Sequence, residues 1–432
     1  MIERVKDFIR ANDLLKKDEQ LLVAVSGGLD SMALLHVLKS LDYDVAVAHV
    51  NFQLRGDDSD LDEEHVKKTC ENLGIAFFSK KAALEKAGGS IQMAAREVRY
   101  EFFDGLIEAH AFDKIVTAHH LNDSLETVLL NLSRGTGIAG LTGISAINGK
   151  VVRPMLCLTR SEILDFANEH AIVWREDATN KESKYQRNLI RNEVIPKLET
   201  INPSLLNTFT STLERLQGSQ EVLEWEVQNM KSKYLKLGDP IELDLSWMDS
   251  SKKSQVLLSE LLKEFEASFL LCTEIIESTE SGKQFRTPTH LMNLDRHKLL
   301  VRPIGESTNP ELTISGLGKY RWGSYSIQVE QIAHQQVDLK SEARLAQLDA
   351  DKIDFPLRVR SWRQGDEFKP LGMNGTKKVS DFFIDEKVPL LTKEDIPIFE
   401  SKDRIVWIGG YRISEDFKVT SSTEKVLRLT LV

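Results

Sequence analysis

The sequence predicts an α/β protein: a doubly wound parallel sheet in the N-terminal domain, followed by a helical domain and a small α+β C-terminal domain. Three observations predict it. Four β-rich runs, Leu21 to Val25, Val45 to Val50, Ile75 to Phe78 and Lys114 to Ala118, alternate with helix-like stretches such as Asp60 to Leu73 and Ile91 to Glu108. Near-continuous apolar strands alternating with helices indicate a parallel sheet covered on both faces. Past Pro203 the pattern becomes helical without intervening strands, and from Lys352 strand-like runs (RVRSW, RIVWIGGYRI, VLRLTLV) are separated by Gly, Pro and Asp turns. The expected divisions are 1–203, 204–335 and 336–432.

Each element has a local justification. Leu21 to Val25 is apolar throughout, as a strand buried on both faces requires, and the apolar helix MALLHVL follows it after one short loop. Ser90 fits an N-cap for a helix whose apolar positions Ile91, Ala94, Ala95, Val98 and Phe102 follow helical spacing. SLLNTFTSTLERLQGSQEVLEWEVQNMKSKYLKL and SSKKSQVLLSELLKEF are helical in period, Gly282 to Pro303 reads as short strands and turns, and the polar stretch IAHQQVDLKSEARLAQ leads into the last block.

Composition excludes several function classes. The chain has 432 residues and a net charge of −10, so a whole-surface attraction to nucleic acid is excluded and RNA contact would need local basic patches. The opening MIERVKDFIR does not read as a signal peptide, and no apolar run of about 18 residues occurs, which implies a cytoplasmic protein with no membrane partner. Cys70, Cys157 and Cys272 lie far apart with no C-x-x-C pair, against a redox motif, a zinc knuckle or a disulfide framework.

The most informative stretch is SGGLDS, Ser26, Gly27, Gly28, Leu29, Asp30 and Ser31. A strand ends, two glycines permit close backbone approach and a helix opens, offering free N–H groups and a positive dipole end to a phosphate. The lysine of G-x-x-x-x-G-K-[ST] is absent. An acid, Asp30, stands inside the loop, and beside a polyphosphate it calls for a divalent cation such as Mg²⁺.

This loop resembles the pyrophosphate loop of the N-type ATP pyrophosphatases, or PP-loop family, which cleave ATP to AMP and pyrophosphate while adenylating a carbonyl oxygen. The family includes amide synthetases, RNA thiolases and tRNA(Ile)-lysidine synthetases. Scattered cysteines do not suit a thiolase, and the loop stands too near the N-terminus for a glutaminase domain to precede it. A second motif, AHHLNDSLETVLLNLSRGTGIAGLTG over residues 118–143, resembles the lysidine synthetase pattern HHxxDxxET followed by RGxGxxGLxG. It matches at His119, His120, Asp123, Glu126, Thr127, Arg134, Gly135, Gly137, Gly140, Leu141 and Gly143, and departs at Asn122, where many members carry a second aspartate. Asp123 and Glu126, three apart at a helix start, face one side and could share a metal or orient a nucleophile. His119 and His120 stand at a strand's carboxyl end, where ligands bind in open α/β sheets.

AAREVRYEFF (Arg96, Arg99, Tyr100), VVRPML (Arg153, Pro154), REDATN (Glu176, Asp177, Asn180) and QRNLIRNEVIP (Arg187, Asn188, Arg191, Pro196) agree with the same family. RSWRQGDEFKPLGMNGTKKVSDFFIDEKVP resembles the C-terminal domain of its longer members, and residues 358–378, with Arg358, Arg360, Arg363, Lys369, Lys377 and Lys378 against Asp366 and Glu367, carry a net +4.

The resemblance implies that ATP places its phosphates on Ser26 to Ser31 with Mg²⁺ on Asp30 and Asp123. The wobble cytidine of an isoleucine tRNA with a CAU anticodon is adenylated at C2, and the ε-amine of L-lysine then displaces AMP. Asp123, Glu126 and His119 are the expected groups to activate the amine, Arg187 and Arg191 to stabilise charge on the α-phosphate, and Arg96, Arg99, Arg134, Arg363, Lys377 and Lys378 to contact tRNA. The oligomeric state, a homodimer included, stays open. The rival readings are another PP-loop adenylating enzyme, whose pyrophosphate release would not need tRNA, and a non-catalytic nucleotide or RNA sensor.

Overall fold

The computed structural model describes residues 1–53, 56–82, 91–175, 186–278, 280–305, 309–337 and 343–432. The expected cap Ser90 and the motif residues Glu176, Asp177 and Asn180 lie outside them. The described residues form two compact units, Met1–Glu224 and Trp225–Val432.

The first unit alternates α1 (Ile2–Ala11), β1 (Gln20–Ala24), α2 (Leu29–Ser40), β2 (Asp44–Asn51), α3 (Asp57–Leu73), β3 (Ala76–Lys81), α4 (Ile91–His110), β4 (Lys114–Val116), α5 (Leu121–Arg134), β5 (Ile147–Asn148), β6 (Val151–Val152) and α6 (Arg160–Glu169). The sheet runs β3-β2-β1-β4-β6-β5. Pairing is parallel except between β5 and β6, where Ile147 faces Val152. Strand alternation sends side chains to opposite faces. Leu21, Val23, Val45 and Val47 pack with Val5, Leu34, Val66 and Phe166 from α1, α2, α3 and α6. Leu22, Ala46 and Ala48 instead meet Phe103 and Ile107 of α4. Both faces are thus covered, as the uninterrupted apolar strands require.

Beyond the sheet come α7 (Gln186–Leu189), a π-helical turn over Ile190–Val194, α8 (Ile195–Ile201) and the long α9 (Leu205–Tyr234). Leu121 and Leu125 of α5 pack with Ile190, Ile195 and Phe209. This apolar seam fixes the face of α5 from which the acids project.

The second unit begins within α9. It holds β7 (Leu235–Lys236), β8 (Ile241–Asp244), α10 (Lys252–Leu261), α11 (Phe269–Glu277), β9 (Gln284–Arg286), β10 (His290–Asp295) and β11 (Lys298–Pro303), with sheet order β7-β8-β11-β10-β9. Strands β9, β10 and β11 fall within Gly282 to Pro303, where short strands are expected, and β7 and β8 join them from the stretch expected to be helical. A second layer follows, with one sheet through Leu312–Ile314, Leu357–Arg360, Ile398–Ser401, Arg404–Ile408 and Arg412–Ile413, another through Gly318–Trp322, Tyr325–Ala333, Lys425–Leu431 and Leu345–Asp349, and a helix over Val379–Asp385. Tyr325–Ala333 pairs with the final strand from Ile327↔Leu431 to Ala333↔Lys425, so the C-terminal sheet crosses the division expected at 335/336. The polar stretch that suggested a boundary connects two strands of one sheet.

Candidate active site

The strand order reverses at β1: β2 and β3 lie to one side and β4 to the other. A reversal of this kind opens a crevice outside the carboxyl ends of the two strands that flank it. Ser26 to Gly28 leave β1 into that crevice, and Thr117 to His120 leave β4 into it. Together they border a cleft of about 980 Å³.

Gly27 sits at φ +91°, a conformation that favours glycine, while a Cβ there would make only ordinary contact with Val66 Cγ2 at 3.4 Å. The Ser26 N–H donates to Ser31 Oγ at 3.1 Å, and Ser31 Oγ donates to the Gly28 carbonyl at 3.0 Å, closing the loop on the first turn of α2. Gly28 is the N-cap and offers no side-chain acceptor, so the first N–H groups of α2 are left to a ligand in the cleft.

Across the crevice, a cluster of two acids and two arginines joins α5 to the segment after it. Glu126, 1 % exposed, accepts from Arg187 Nε at 2.7 Å and from Arg191 Nε at 2.5 Å. Asp123 Oδ1 accepts from Arg187 Nη2 at 3.1 Å and Arg191 Nη2 at 3.4 Å, while Oδ2 accepts the His120 N–H at 3.0 Å. Burial works against the Asp123 carboxylate, but His120 and Arg187 together hold its pKa below the usual range. Both oxygens of Asp123 are engaged by protein donors, which leaves the acid as a brace for the arginines.

The two histidines are shifted in opposite directions. Burial, with Arg153 and Arg187 nearby, outweighs the Asp123 charge and pushes His119 down to about 4, so it is neutral at pH 7. Its Nδ1 meets Thr117 Oγ1 at 3.0 Å. Burial also opposes charge on His120, but contact with Asp30 and the fields of Asp123 and Glu126 prevail and raise its pKa. His120 Nε2 lies 3.7 Å from Asp30 Oδ2 and 3.5 Å from Asp123 Oδ2.

Asp30 tests the fit of a cation. Its Oδ1 is buried with no hydrogen-bond partner among the described residues. No group of three or more His, Cys, Asp or Glu side chains is arranged to hold a metal among those residues. One carboxylate oxygen in a phosphate loop suits Mg²⁺, which completes its shell with phosphate oxygens and water. Asp30 fits that role, whereas the oxygens of Asp123 are committed to protein donors.

Arg96 and Arg99 border the same cleft, Arg96 over the Tyr100 ring at 5.0 Å and Arg99 over Phe52 at 5.7 Å. Arg134 is not in its wall; it ends α5 and donates to Gln186 Oε1 at 2.6 Å. Arg363, Lys377 and Lys378 belong to the second unit. Their stretch is less basic than its composition: Arg363 pairs with Glu311, Lys377 with Asp385, Arg358 with Asp403 and Glu400, and Arg360 with Asp366 and Glu400. Most of the neutralising acids come from outside residues 358–378, where a local charge count cannot see them.

The motifs did not single out Arg175 with Asp58 and Asp62, or the role of Asn122. Asn122 Oδ1 accepts the Arg160 N–H at 2.9 Å, capping the first turn of α6, a helix whose Arg160, Ser161 and Leu164 also border the cleft. The signal was its departure from the family pattern: an amide serves as well as a carboxylate for accepting one N–H. Burial pushes the thiols of Cys70, Cys157 and Cys272 up to about 11, so none is a thiolate at neutral pH.

Comparison with known proteins agrees with this geometry. A model of the PP-loop domain matches residues 1–198, a model of the TilS substrate binding domain residues 236–304, and a model of the TilS substrate C-terminal domain residues 357–430. The chain is 35 % identical to a tRNA(Ile)-lysidine synthase of Parabacteroides distasonis over 99 % of both chains. It is 34 % identical to that of Bacteroides thetaiotaomicron over 100 % of this chain and 99 % of the relative, and 32 % identical to that of Caldanaerobacter subterraneus over 99 % and 97 %. With the glycine loop, Asp123 and Arg191 bordering one cleft, and full-length relatives at this identity, the chain belongs to the tRNA(Ile)-lysidine synthase family.

Proposed function

We propose that this protein is a ligase that consumes ATP, releases AMP and pyrophosphate, and forms a carbon–nitrogen bond between L-lysine and C2 of the wobble cytidine in an isoleucine tRNA with a CAU anticodon. The observation that carries the reading is that the glycine loop, Asp123 and Arg191 border one cleft, with Glu126 and Arg187 bracing the latter two from behind its wall.

The β- and γ-phosphates lie on the N–H groups of Gly28 and the first turn of α2. Asp30 would hold Mg²⁺, which would supply charge neutralisation of the leaving pyrophosphate. The cytidine O2 attacks the α-phosphate, and Arg191, at the cleft wall, stabilises charge on the α-phosphate oxygens. Arg187 and Arg191 are long side chains; bidentate pairing with Glu126 pre-orients Arg191, and Arg187 is held by one bond to Glu126 and one to the Asp123 carboxylate.

Adenylation turns an inert oxygen into a leaving group. The lysine ε-amine, with a pKa in water of about 10.4, must lose a proton to attack C2. With Asp123 and Glu126 committed to the arginines, His119 takes the proton from the nitrogen once the bond to C2 has formed and the nitrogen's pKa has fallen. His119 Nε2 is the candidate proton acceptor in the tautomer whose Nδ1–H donates to Thr117 Oγ1. Loss of AMP completes the substitution. Raised thiol pKa values favour this reading over sulfur transfer.

The test is incubation with ATP, Mg²⁺, labelled lysine and isoleucine tRNA carrying CAU, followed by nucleoside mass analysis. Incorporated lysine with one AMP and one pyrophosphate per event is expected. Pyrophosphate release that needs no tRNA, or no lysine incorporation by folded protein, overturns the reading.

A further inference from the structure

We propose that Arg175, clasped by Asp62 and Asp58 of α3, is a positioning residue that sets the orientation of the Gly27–Gly28 peptide and thereby the pyrophosphate-binding N–H. The inference rests on the reading of Ser26 to Ser31 as the phosphate loop.

Arg175 lies far from the loop in sequence but touches it through its main chain, its N–H donating to the Gly27 carbonyl at 3.0 Å. Its guanidinium is held on α3: Nε donates to Asp62 Oδ1 at 2.5 Å and Nη2 to Asp58 Oδ1 at 3.1 Å. The residues just before it are fixed too, His65 Nε2 lying 3.0 Å from the Val173 carbonyl and Trp174 packing against the main core. Asp62 is also a neighbour of the loop itself, since a Cβ on Gly27 would lie 3.8 Å from Asp62 Cβ. One helix therefore buttresses the glycine and holds the residue that hydrogen-bonds it.

In a trans peptide the carbonyl and the following N–H point in opposite directions. With the Gly27 carbonyl held by Arg175, the Gly28 N–H is turned the other way, where the protein offers it a long 3.4 Å contact with Ser26 Oγ. Glycine at positive φ leaves this peptide free to rotate. A flip would present a carbonyl oxygen to the phosphates in place of a donor. The guanidinium has a second effect: it neutralises Asp62 and Asp58, whose charges would otherwise repel the triphosphate.

The test uses steady-state kinetics of the full chain with pyrophosphate release as signal, for wild type, Arg175→Ala, Arg175→Lys, Asp62→Asn and the double variant Arg175→Ala/Asp62→Asn. Arg175→Ala is expected to raise KM for ATP, and the inhibition constant of added pyrophosphate, by about tenfold, the equivalent of one hydrogen-bonded peptide losing its fixed orientation. KM values for lysine and tRNA stay within about twofold, and thermal midpoints are read in parallel. Both variants keep the main-chain donor; Arg175→Lys also keeps a cation for Asp62 and recovers most of the ATP affinity. Asp62→Asn alone shows a smaller rise than Arg175→Ala, and the double variant recovers part of it because the uncompensated acid is gone. Parallel increases in all three KM values that track a lowered midpoint mean a structural role only and overturn the proposal, as does unchanged ATP KM and pyrophosphate inhibition in Arg175→Ala. Inactive wild type would instead defeat the reading of the loop.

Discussion

Asp30 and His119 show how strongly environment decides what a side chain can do. Asp30 occupies a position where other phosphate loops carry a lysine, and its buried, unpartnered Oδ1 is the feature that a cation would satisfy. Asp30→Asn keeps size and one acceptor but loses the charge. It is expected to lower the rate of pyrophosphate release by about a hundredfold, as removal of a transition-state electrostatic contact does, and to move the Mg²⁺ requirement upward in a metal titration. His119 is held near 4 by burial, below the 6.5 of a free histidine. The unfolded chain therefore binds a proton at this position between those values and the folded chain does not, so stability falls as pH drops from 6.5 toward 4. His119→Gln removes this term, and urea midpoints of the two proteins should diverge by up to about 3 kcal/mol across that window, with wild type losing more. His120 has the opposite sign: its raised pKa contributes stability below the ordinary histidine value, which is lost as pH rises through the folded-state value.

At the scale of elements, α5 carries two of the acids and depends on a segment some sixty residues later for their partners. Helical spacing made Asp123 and Glu126 legible as a pair in the sequence, because three residues of helix return to one face. Their partnership with Arg187 and Arg191 was not legible, since it arises where Ile190 and Ile195 pack on Leu121 and Leu125. Glu126→Ala would leave two guanidinium groups facing an empty buried position. It should destabilise the fold by about 3 kcal/mol in a denaturant titration, and reduce pyrophosphate release more than it changes ATP binding. The β1–α2 connection is the converse case. SGG after an apolar run announces a tight turn, and the φ of +91° at Gly27 confirms why. Gly27→Ala should cost about 1–2 kcal/mol from backbone strain and weaken ATP binding by turning the loop away from this conformation, checked by thermal midpoint and nucleotide titration.

For the whole molecule, charge is the property most altered by folding. Residues 358–378 count as +4 along the chain, yet Arg358, Arg360, Arg363 and Lys377 are all in ion pairs. Arg360 is 5 % exposed between Asp366 and Glu400 and acts within the fold. The prediction separates two kinds of basic residue. Lys378→Glu should weaken tRNA binding and reduce the slope of log affinity against log salt by about 1, while leaving the midpoint unchanged. Arg360→Ala should instead lower the midpoint, because half-buried Asp366 loses its cation and buried Glu400 keeps only Arg358. Among the described residues no helix is long and apolar enough to cross a membrane.

The sequence by itself determined the alternation of strand and helix in the first 200 residues, the phosphate loop, the acidic pair and the family pattern that names the chemistry. All of these are local: apolar period, glycine placement and short spacings are set within a few turns of chain. Only the tertiary structure decided which charges meet. It joined Glu126 to Arg187 and Arg191, Gly27 to Arg175, and Arg360 to Glu400, and it paired Tyr325–Ala333 with the final strand across the boundary that a polar stretch suggested. The physical reason is that hydrogen bonds and ion pairs form between groups brought together by burial of apolar surface elsewhere. Their partners therefore carry no mark in the residues that flank them.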